Sequence, residues 1–350
     1  MLVQIYAGSL NLVRRSGVGQ AALHQQAMLE KMGQDVTFRW DCGAEFVHIN
    51  TVFPDSLAAA FAARAVGARV IWYGHSTMED FRDSFKCSNR CAPAFGRWIK
   101  LCYGSGDAVI TPTEYSKKLI DGYNIGKPVY ALSNGVDTDF YSPSASRRAA
   151  FRRQNGLKER DKAVMCAGHF IERKGILDFI ELAKMMPQTH FFWYGYTNLN
   201  IVPKKIKFAI ADAPDNVSFP GFVSNDELRN AYCGCDLFCF PSREETEGIV
   251  VLEALACEIP VLVRDIPVYD DWLRDGINVY KARSCGDFLR RSRMILHKEL
   301  PDLAAEGRIT AQSRSIEETG RKLLEVYDSI RSDMTAENQP NLVNKDNCQA

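Results

Sequence analysis

Residues 237–269 restrict the fold more than any other stretch. Leu237 to Phe240 reads as an apolar strand that runs into Pro241 and Ser242. A charged loop, Arg243 to Glu247, follows, and from Gly248 an apolar run predicts a helix to about Cys257. Pro260 then opens a second strand, Val261 to Val263. Strand, loop, helix and strand in that order form the repeating unit of a parallel α/β sheet. The loop lies at the carboxyl edge of such a sheet, where these folds bind ligands. Backbone N–H groups of Gly248, Ile249 and Val250 are unpaired at the predicted helix start and can receive an anion. Glu245 and Glu253 bracket that position. Carboxylates do not bind phosphate, so beside an anion site they suit hydroxyls, such as those of a ribose and a hexose flanking a diphosphate. Spacing alone leaves a second reading open: a buried, locally paired Glu253 and a solvated Glu245.

The rest of the chain repeats the strand–helix rhythm. Leu2 to Tyr6, Phe46 to Ile49, Arg69 to Tyr73 and Ala108 to Ile110 are predicted strands. The last three end in polar residues, which line up at one sheet edge as a cleft wall. His75 lies just past one of these ends. Gly17, Gly19 and Ala22 fit the dinucleotide pattern G-x-G-x-x-A, which keeps a nicotinamide dehydrogenase as an alternative. Roughly ten residues separate strand from glycine here, whereas the dinucleotide turn is tight. A loop in which Gly17 and Val18 let backbone approach a diphosphate or sugar fits better. SNGVDTDFYSP, Ser133 to Pro143, reads as a hinge between two domains. Its Asp137 and Asp139 sit in a linker and are assigned no metal. Val164 to Ala167, Phe191 to Tyr194 and Val217 to Phe219 continue the strands, and Asn225 to Tyr232 and Ile316 to Ile330 are helices. Arg173 and Lys174 open a helix; two cations there oppose the macrodipole and point to a bound anion.

A chain of 350 residues can build two domains with separate cores. Formal net charge is zero, so no global field recruits nucleic acid or membrane. Between Lys86 and Lys100 the basic residues Lys86, Arg90, Arg97 and Lys100 have no acidic neighbour. Pro93 suits a helix start, and Phe95 and Trp98 follow at helical spacing beside the basic residues. That segment is either a core helix with a basic solvent side or an amphipathic helix facing anionic lipid. Eleven cysteines without a C-x-x-C pair indicate neither a disulfide framework nor a zinc ribbon. No signal peptide is expected, because Met1 to Tyr6 reads as a strand, and no apolar run reaches the roughly 20 residues of a membrane span.

The strings VHINT, GHSTMEDFRDSF, TPTEYSK, ALSNGVD, RKGI, PSREETEGIVVLEALA and VRDIPVY together resemble glycosyltransferase family 4. Within it they look like the branch that adds a hexose to glycosyl-diacylglycerol in Gram-positive bacteria. The resemblance covers roughly residues 1–331 and includes the E-x7-E signature, Glu245 to Glu253. It implies an α/β GT-B fold, two Rossmann-like domains facing across a cleft. Residues 1–140, completed by a helix at 313–331, would face acceptor and membrane. Residues 141–312 would hold the nucleotide-sugar, and the polar tail 332–350 is expected to be disordered. It implies a retaining, metal-independent transfer of glucose or galactose from UDP-glucose or UDP-galactose, with no other cofactor. The acceptor would be a membrane glycolipid such as monoglucosyl-diacylglycerol, or, for another family branch, a polysaccharide or small glycoside. A catalytically dead sugar- or lipid-binding protein is the remaining alternative.

By the same resemblance, Glu245 and His75 touch the transferred hexose and Glu253 holds the ribose. Lys174 meets the diphosphate in the glycine-rich turn opened by Gly168, and Phe222 lies where the family lays its base. The family has Arg after that first glycine, where this chain has His169, so Arg173 is expected to substitute. Thr246-Glu247 replace the family's Gly-Phe and are expected to put an extra charge beside the donor. A lipid acceptor would favour the amphipathic reading of Lys86 to Tyr103 and a cytoplasmic protein bound to the inner membrane face.

Overall fold

The computed structural model describes residues 1–8 and 17–337 of the chain. Its strands form two sheets of six, and every pairing in them is parallel. The first sheet runs β2-β1-β3-β4-β5-β6. Its strands are β1 (Leu2–Tyr6), β2 (Asp35–Thr37), β3 (Phe46–Ile49), β4 (Arg69–Tyr73), β5 (Ala108–Thr111) and β6 (Val129–Ala131). The second runs β12-β11-β10-β7-β8-β9. It contains β7 (Lys162–Ala167), β8 (Thr189–Tyr194), β9 (Val217–Gly221), β10 (Leu237–Phe240), β11 (Val261–Arg264) and β12 (Tyr280–Ala282).

Parallel neighbours need a crossover, here mostly helical. In the first half the helices are α1 (Gly17–Lys31), α2 (Pro54–Ala65), α3 (Met78–Phe81), α4 (Ser88–Gly104) and α5 (Glu114–Asp121). In the second they are α6 (Ala145–Gln154), α7 (Ile176–Met185), α8 (Lys204–Ala211), α9 (Asn225–Gly234), α10 (Ile249–Ala256), α11 (Cys285–Leu296) and α12 (Ala304–Gln312). The last helix, α13 (Ile316–Glu337), follows them. Among the described residues no helix is long and apolar enough to cross a membrane.

Helices cover both faces of each sheet, so central strands read as unbroken apolar runs. β3, β5 and β10 are buried at every residue. Alternation then sorts side chains between layers. Val70 and Trp72 of β4 pack with Ile99 and Tyr103 of α4. Ile71 and Tyr73 pack on the other face with Ile316, Leu323, Tyr327 and Ile330 of α13. Thus α13 starts beside the second half and ends on the first sheet, where Tyr327 stacks on Phe46 at 4.1 Å. It continues to Glu337, past the predicted end at 331, and residues 338–350 lie outside the described residues.

Two sequence expectations change. Helix α4 starts at Ser88, so Pro93 lies inside it rather than at its start. Proline cannot donate the helical hydrogen bond; Pro93 is exposed, so water can reach the carbonyl it leaves without a donor. The second change concerns Glu247. It does not face a ligand site but is completely buried where the chain crosses between the halves. Ser133 Oγ donates to its Oε1 at 2.5 Å, and the backbone N–H and Nδ2 of Asn134 donate to Oε2 at 3.0 and 2.8 Å. Arg314, on the returning crossing, donates to Oε1 at 3.3 Å. The two crossings also pair directly: Val136 N–H donates to Arg314 O and Ile316 N–H to Val136 O, each at 3.1 Å. One carboxylate therefore ties the loop before α10 to both passages of the chain.

Replacing Glu247 by Ala removes the acceptor from three buried or half-buried donors and one cation. Breaking a buried pair of this kind costs about 3–5 kcal/mol. The Glu247→Ala protein is expected to lose that much stability in urea unfolding, and a change below about 1 kcal/mol would reject the staple.

Candidate active site

A cleft of about 450 Å³ opens between the two sheets. Gly17, Val18, His75, Thr77 and Asp80 line it from the first half. Gly168, His169, Arg173, Lys174, Phe222, Glu245, Gly248, Ile249, Val250 and Glu253 line it from the second. Every residue singled out in the sequence for sugar, phosphate or ribose therefore meets in one cavity. Residues 9–16, including Arg14 and Arg15 before Gly17, lie outside the described residues.

The loop from Pro241 to Gly248 is shaped by close backbone packing. Gly175 has φ +78°, and a Cβ there would sit 2.4 Å from the Pro241 carbonyl oxygen. Only glycine lets the Lys174 turn press against this loop. Lys174 Nζ thereby reaches Glu245 Oε1 at 2.5 Å and lies 5.4 Å from the Phe240 ring centroid. Ser242 Oγ donates to the same carboxylate oxygen at 2.6 Å. Burial pushes the Glu245 carboxyl up, but Lys174, Arg173 and Ser242 outweigh it and hold the group below the usual carboxylate range. Gly248, at φ +91°, turns the chain into α10 and leaves its first N–H groups at the cleft wall.

Glu253 lies one turn into α10 and is 2 % exposed. Burial pushes its carboxyl up to about 7, against the opposing pull of the Tyr232 hydroxyl, which donates to Oε2 at 2.8 Å. The two carboxylates of the E-x7-E string are thus moved in opposite directions. One sits against a cation; the other sits against a tyrosine in an apolar shell.

His75 is oriented by a buried polar chain. Its Nε2 lies 3.0 Å from Asn50 Oδ1. Asn50 and Gln25 exchange two amide hydrogen bonds at 2.7 and 3.1 Å. Gln25 Oε1 is 3.3 Å from His48 Nδ1, and His48 Nε2 is 2.6 Å from the Tyr327 hydroxyl on α13. With these amide orientations, Asn50 Oδ1 accepts from His75 and Tyr327 donates to His48. Each imidazole then carries one proton. Burial agrees, pushing His75 down to about 4 and His48 down to about 3. The proton on His75 Nε2 leaves Nδ1 as an acceptor.

A family profile described as Glycosyltransferase Family 4 matches residues 27–140, and one described as Glycosyl transferases group 1 matches 147–316. The processive diacylglycerol alpha-glucosyltransferase of Acholeplasma laidlawii is 38 % identical over 331 residues, covering 94 % of this chain and 98 % of the relative. The chain belongs to glycosyltransferase family 4. The alpha-galactosylglucosyldiacylglycerol synthase of Streptococcus pneumoniae is 28 % identical over 267 residues, covering 73 % and 71 % of the two chains. The crystal structure of Anabaena HepE in complex with UDP-glucose superposes with a TM-score of 0.73 at 17 % identity, over 94 % of this chain and 100 % of that one. The two parallel sheets are those of the GT-B fold.

In this glycosyltransferase Arg173 lines the cleft beside Lys174 and lies 3.9 Å from Glu245 Oε1. Its guanidinium crosses the cleft to Asp80 Oδ1 at 2.7 Å and Ser84 Oγ at 3.2 Å, and on its own side donates to the Glu244 carbonyl at 2.6 Å. Arg173 therefore bridges the two halves, and Lys174 is the nearer of the two basic residues to Glu245. His169, where the family carries Arg, has Nδ1 3.0 Å from the Tyr196 carbonyl. Phe222 follows Gly221, at φ +82°, and is half exposed on the cleft wall. Asp137 caps its own turn, accepting from the N–H groups of Asp139 and Phe140.

The basic segment is divided. Lys86, Arg90, Arg97 and Lys100 are exposed and lie outside the cleft lining. Trp98 turns inward and donates to the Val52 carbonyl at 2.6 Å. Phe95 stacks on Phe81 at 4.3 Å and lines the cleft. Both aromatics that the sequence set beside the basic residues therefore have protein partners.

Sequence reasoning missed Asp80, Tyr232 and the Asn50–Gln25–His48–Tyr327 chain. Asp80 carried a signal, a charge within GHSTMEDFRDSF just past a strand end. In the polar chain Asn50 carried one as a polar strand end, but its links to Gln25 and Tyr327 carried none, since those lie on other elements. Asn50→Asp is expected to place a carboxylate against His75 Nε2, favour the imidazolium and raise the His75 pKa. Activity of that variant should fall as pH drops through 7 toward 6, where the parent still has neutral His75. Superimposable pH–rate profiles would show that the chain does not set the His75 proton.

Proposed function

We propose that this chain transfers glucose or galactose from a UDP-sugar to a membrane glycolipid, with retention of configuration at the transferred carbon. The observation that carries this reading is the cleft that joins Lys174–Glu245, the α10 N-terminus and Glu253 from one half with His75 from the other. The A. laidlawii relative is named as a diacylglycerol alpha-glucosyltransferase and the S. pneumoniae relative as an alpha-galactosylglucosyldiacylglycerol synthase, and the HepE structure holds UDP-glucose. The donor hexose is α-linked in UDP-glucose, so an alpha-glucoside product corresponds to retention.

In the proposed roles, residues 141–312 hold the donor. Glu253 accepts hydrogen bonds from ribose hydroxyls, and Phe222 lies along the base. Gly17, Val18 and Gly168 let backbone approach the donor. The N–H groups of Gly248, Ile249 and Val250, together with Lys174, meet the diphosphate. As the sugar–phosphate bond breaks, these groups stabilise charge that moves onto the leaving phosphate oxygen. Glu245 and His75 hold the hexose by its hydroxyls; Nδ1 of His75 accepts a hydrogen bond from one of them. The acceptor hydroxyl, presented by residues 1–140 with 313–331, attacks from the face the diphosphate leaves and gives its proton to that departing oxygen. This route needs neither a protein nucleophile nor a metal.

The decisive experiment offers UDP-glucose and UDP-galactose with monoglucosyl-diacylglycerol and identifies the product and its anomeric configuration. No lipid product from either donor, with donor hydrolysis intact, would redirect the acceptor reading. Lys174→Ala is expected to lower kcat by about 100-fold or more, with chelators leaving the parent unaffected; activity that vanishes with chelator and returns with magnesium would overturn the metal-free route. Glu253→Ala should weaken UDP binding by about 1.5–3 kcal/mol, read by calorimetry. Parent-like UDP affinity in that variant would remove the ribose role.

A further inference from the structure

We propose that the surface meeting the membrane spans both halves of the protein, with helix α8 of the second half as its second contact. The inference rests on the glycolipid reading above and names the partner: a bilayer containing anionic lipid. Segment 196–211, YTNLNIVPKKIKFAIA, contains Lys204, Lys205 and Lys207 and no acidic residue. Its apolar residues split by helical period. Ile206 is fully buried, whereas Phe208 is 67 % exposed and Ile201 47 % exposed. At 100° per residue, Lys204 and Phe208 share the outward face of α8, with Lys205 and Lys207 at its sides, and Ile201 is exposed in the loop just before it. An outward aromatic flanked by lysines is the pattern of a helix lying in a membrane interface.

The second observation is where this face sits. The loop before α8 touches the loop before α4. Lys86 N–H donates to the Ile201 carbonyl at 3.1 Å, and Lys86 Nζ to the Asn200 carbonyl at 2.6 Å. Segment 84–101 is likewise free of acidic residues and exposes Arg90, Arg97 and Leu101. Phe85 and Tyr196, one from each side of this junction, are partly exposed and also line the cleft. Two basic and apolar segments therefore meet at the cleft mouth, one from each half. A glycolipid that keeps its acyl chains in the bilayer reaches the cleft most directly through such a mouth. Docking on one bilayer would then constrain both halves that line the cleft.

The test compares the parent with Lys204→Gln/Lys207→Gln/Phe208→Ser. Lys205 stays, because it pairs with Glu172 at 2.6 Å. A second variant changes Lys86, Arg90, Arg97 and Lys100 to Gln, and a third, Lys204→Gln/Lys207→Gln, keeps Phe208. Co-sedimentation uses phosphatidylglycerol-containing vesicles, with phosphatidylcholine vesicles as control. The α8 variant is expected to bind anionic vesicles about tenfold or more weakly than the parent, with UDP affinity in vesicle-free buffer unchanged. Anionic vesicles should tighten UDP binding by the parent and not by the α8 variant. An α8 variant that sediments as the parent does, while the four-Gln variant fails to, confines the contact to the first half and overturns the proposal. Parent-like sedimentation of all three variants overturns it as well. Vesicle binding lost in the α8 variant, from a parent that glycosylates no lipid, upholds the surface and removes the glycolipid acceptor instead.

Discussion

Everything in the cleft depends on a carboxylate that never reaches it. Glu247 is completely buried at the place where the chain leaves the first half and later returns. A buried charge is tolerated only when its oxygens are fully hydrogen-bonded, and here donors come from residues 133, 134 and 314. The loop carrying Glu245 and the start of α10 is thus pinned to the hinge itself. Thr113 strengthens the tie, donating to the Thr246 carbonyl at 2.8 Å. A change in the angle between the halves must move this loop or break these bonds, so hinge geometry and site geometry are mechanically linked.

Three carboxylates within nine residues, Glu245, Glu247 and Glu253, serve different ends because their surroundings differ. Glu245 faces Lys174 and stays ionised. Glu253 faces Tyr232 in an apolar layer and is pushed toward neutrality. Glu247 is consumed by structure. Identity of side chain says little here; the nearest cation and the depth of burial decide the role. The same logic separates Arg173 from its neighbour Lys174. Arg173 crosses to Asp80 while Lys174 stays on its own side of the cleft. The planar guanidinium suits several acceptors at once, as it finds in Asp80, Ser84 and the Glu244 carbonyl.

The first half contributes in a less local way. The last helix reaches the cleft through Tyr327, His48, Gln25 and Asn50, which pass hydrogen bonds to His75. Such a chain rigidifies when every member is satisfied, and it makes the returning helix part of the site rather than a mere clasp. The basic face of α4 lies outside this network, and the loop before it meets the loop before α8 beside the cleft.

The sequence by itself determined the strand–helix rhythm, the parallel sheets and the chemical character of the loop from Pro241 to Gly248. Those features are local: apolar runs of strand length, glycines at turns and polar residues at strand ends state their structure within a few residues. It also named Lys174, Glu245, Glu253 and His75, because each sits at a strand end or within about a turn of a helix start that a parallel sheet sends to one edge. Only the tertiary structure decided which partner each side chain would meet. Nothing near Glu247 in the chain announces residues 133, 134 and 314, nothing near Arg173 announces Asp80, and the inward turn of Trp98 depends on Val52. Helical spacing placed Trp98 near the basic face but could not say which neighbour would accept its N–H. The physical reason is that hydrogen-bond and ion-pair partners far apart in sequence are chosen by the packing of two sheets across a hinge, and that geometry is written in no single segment.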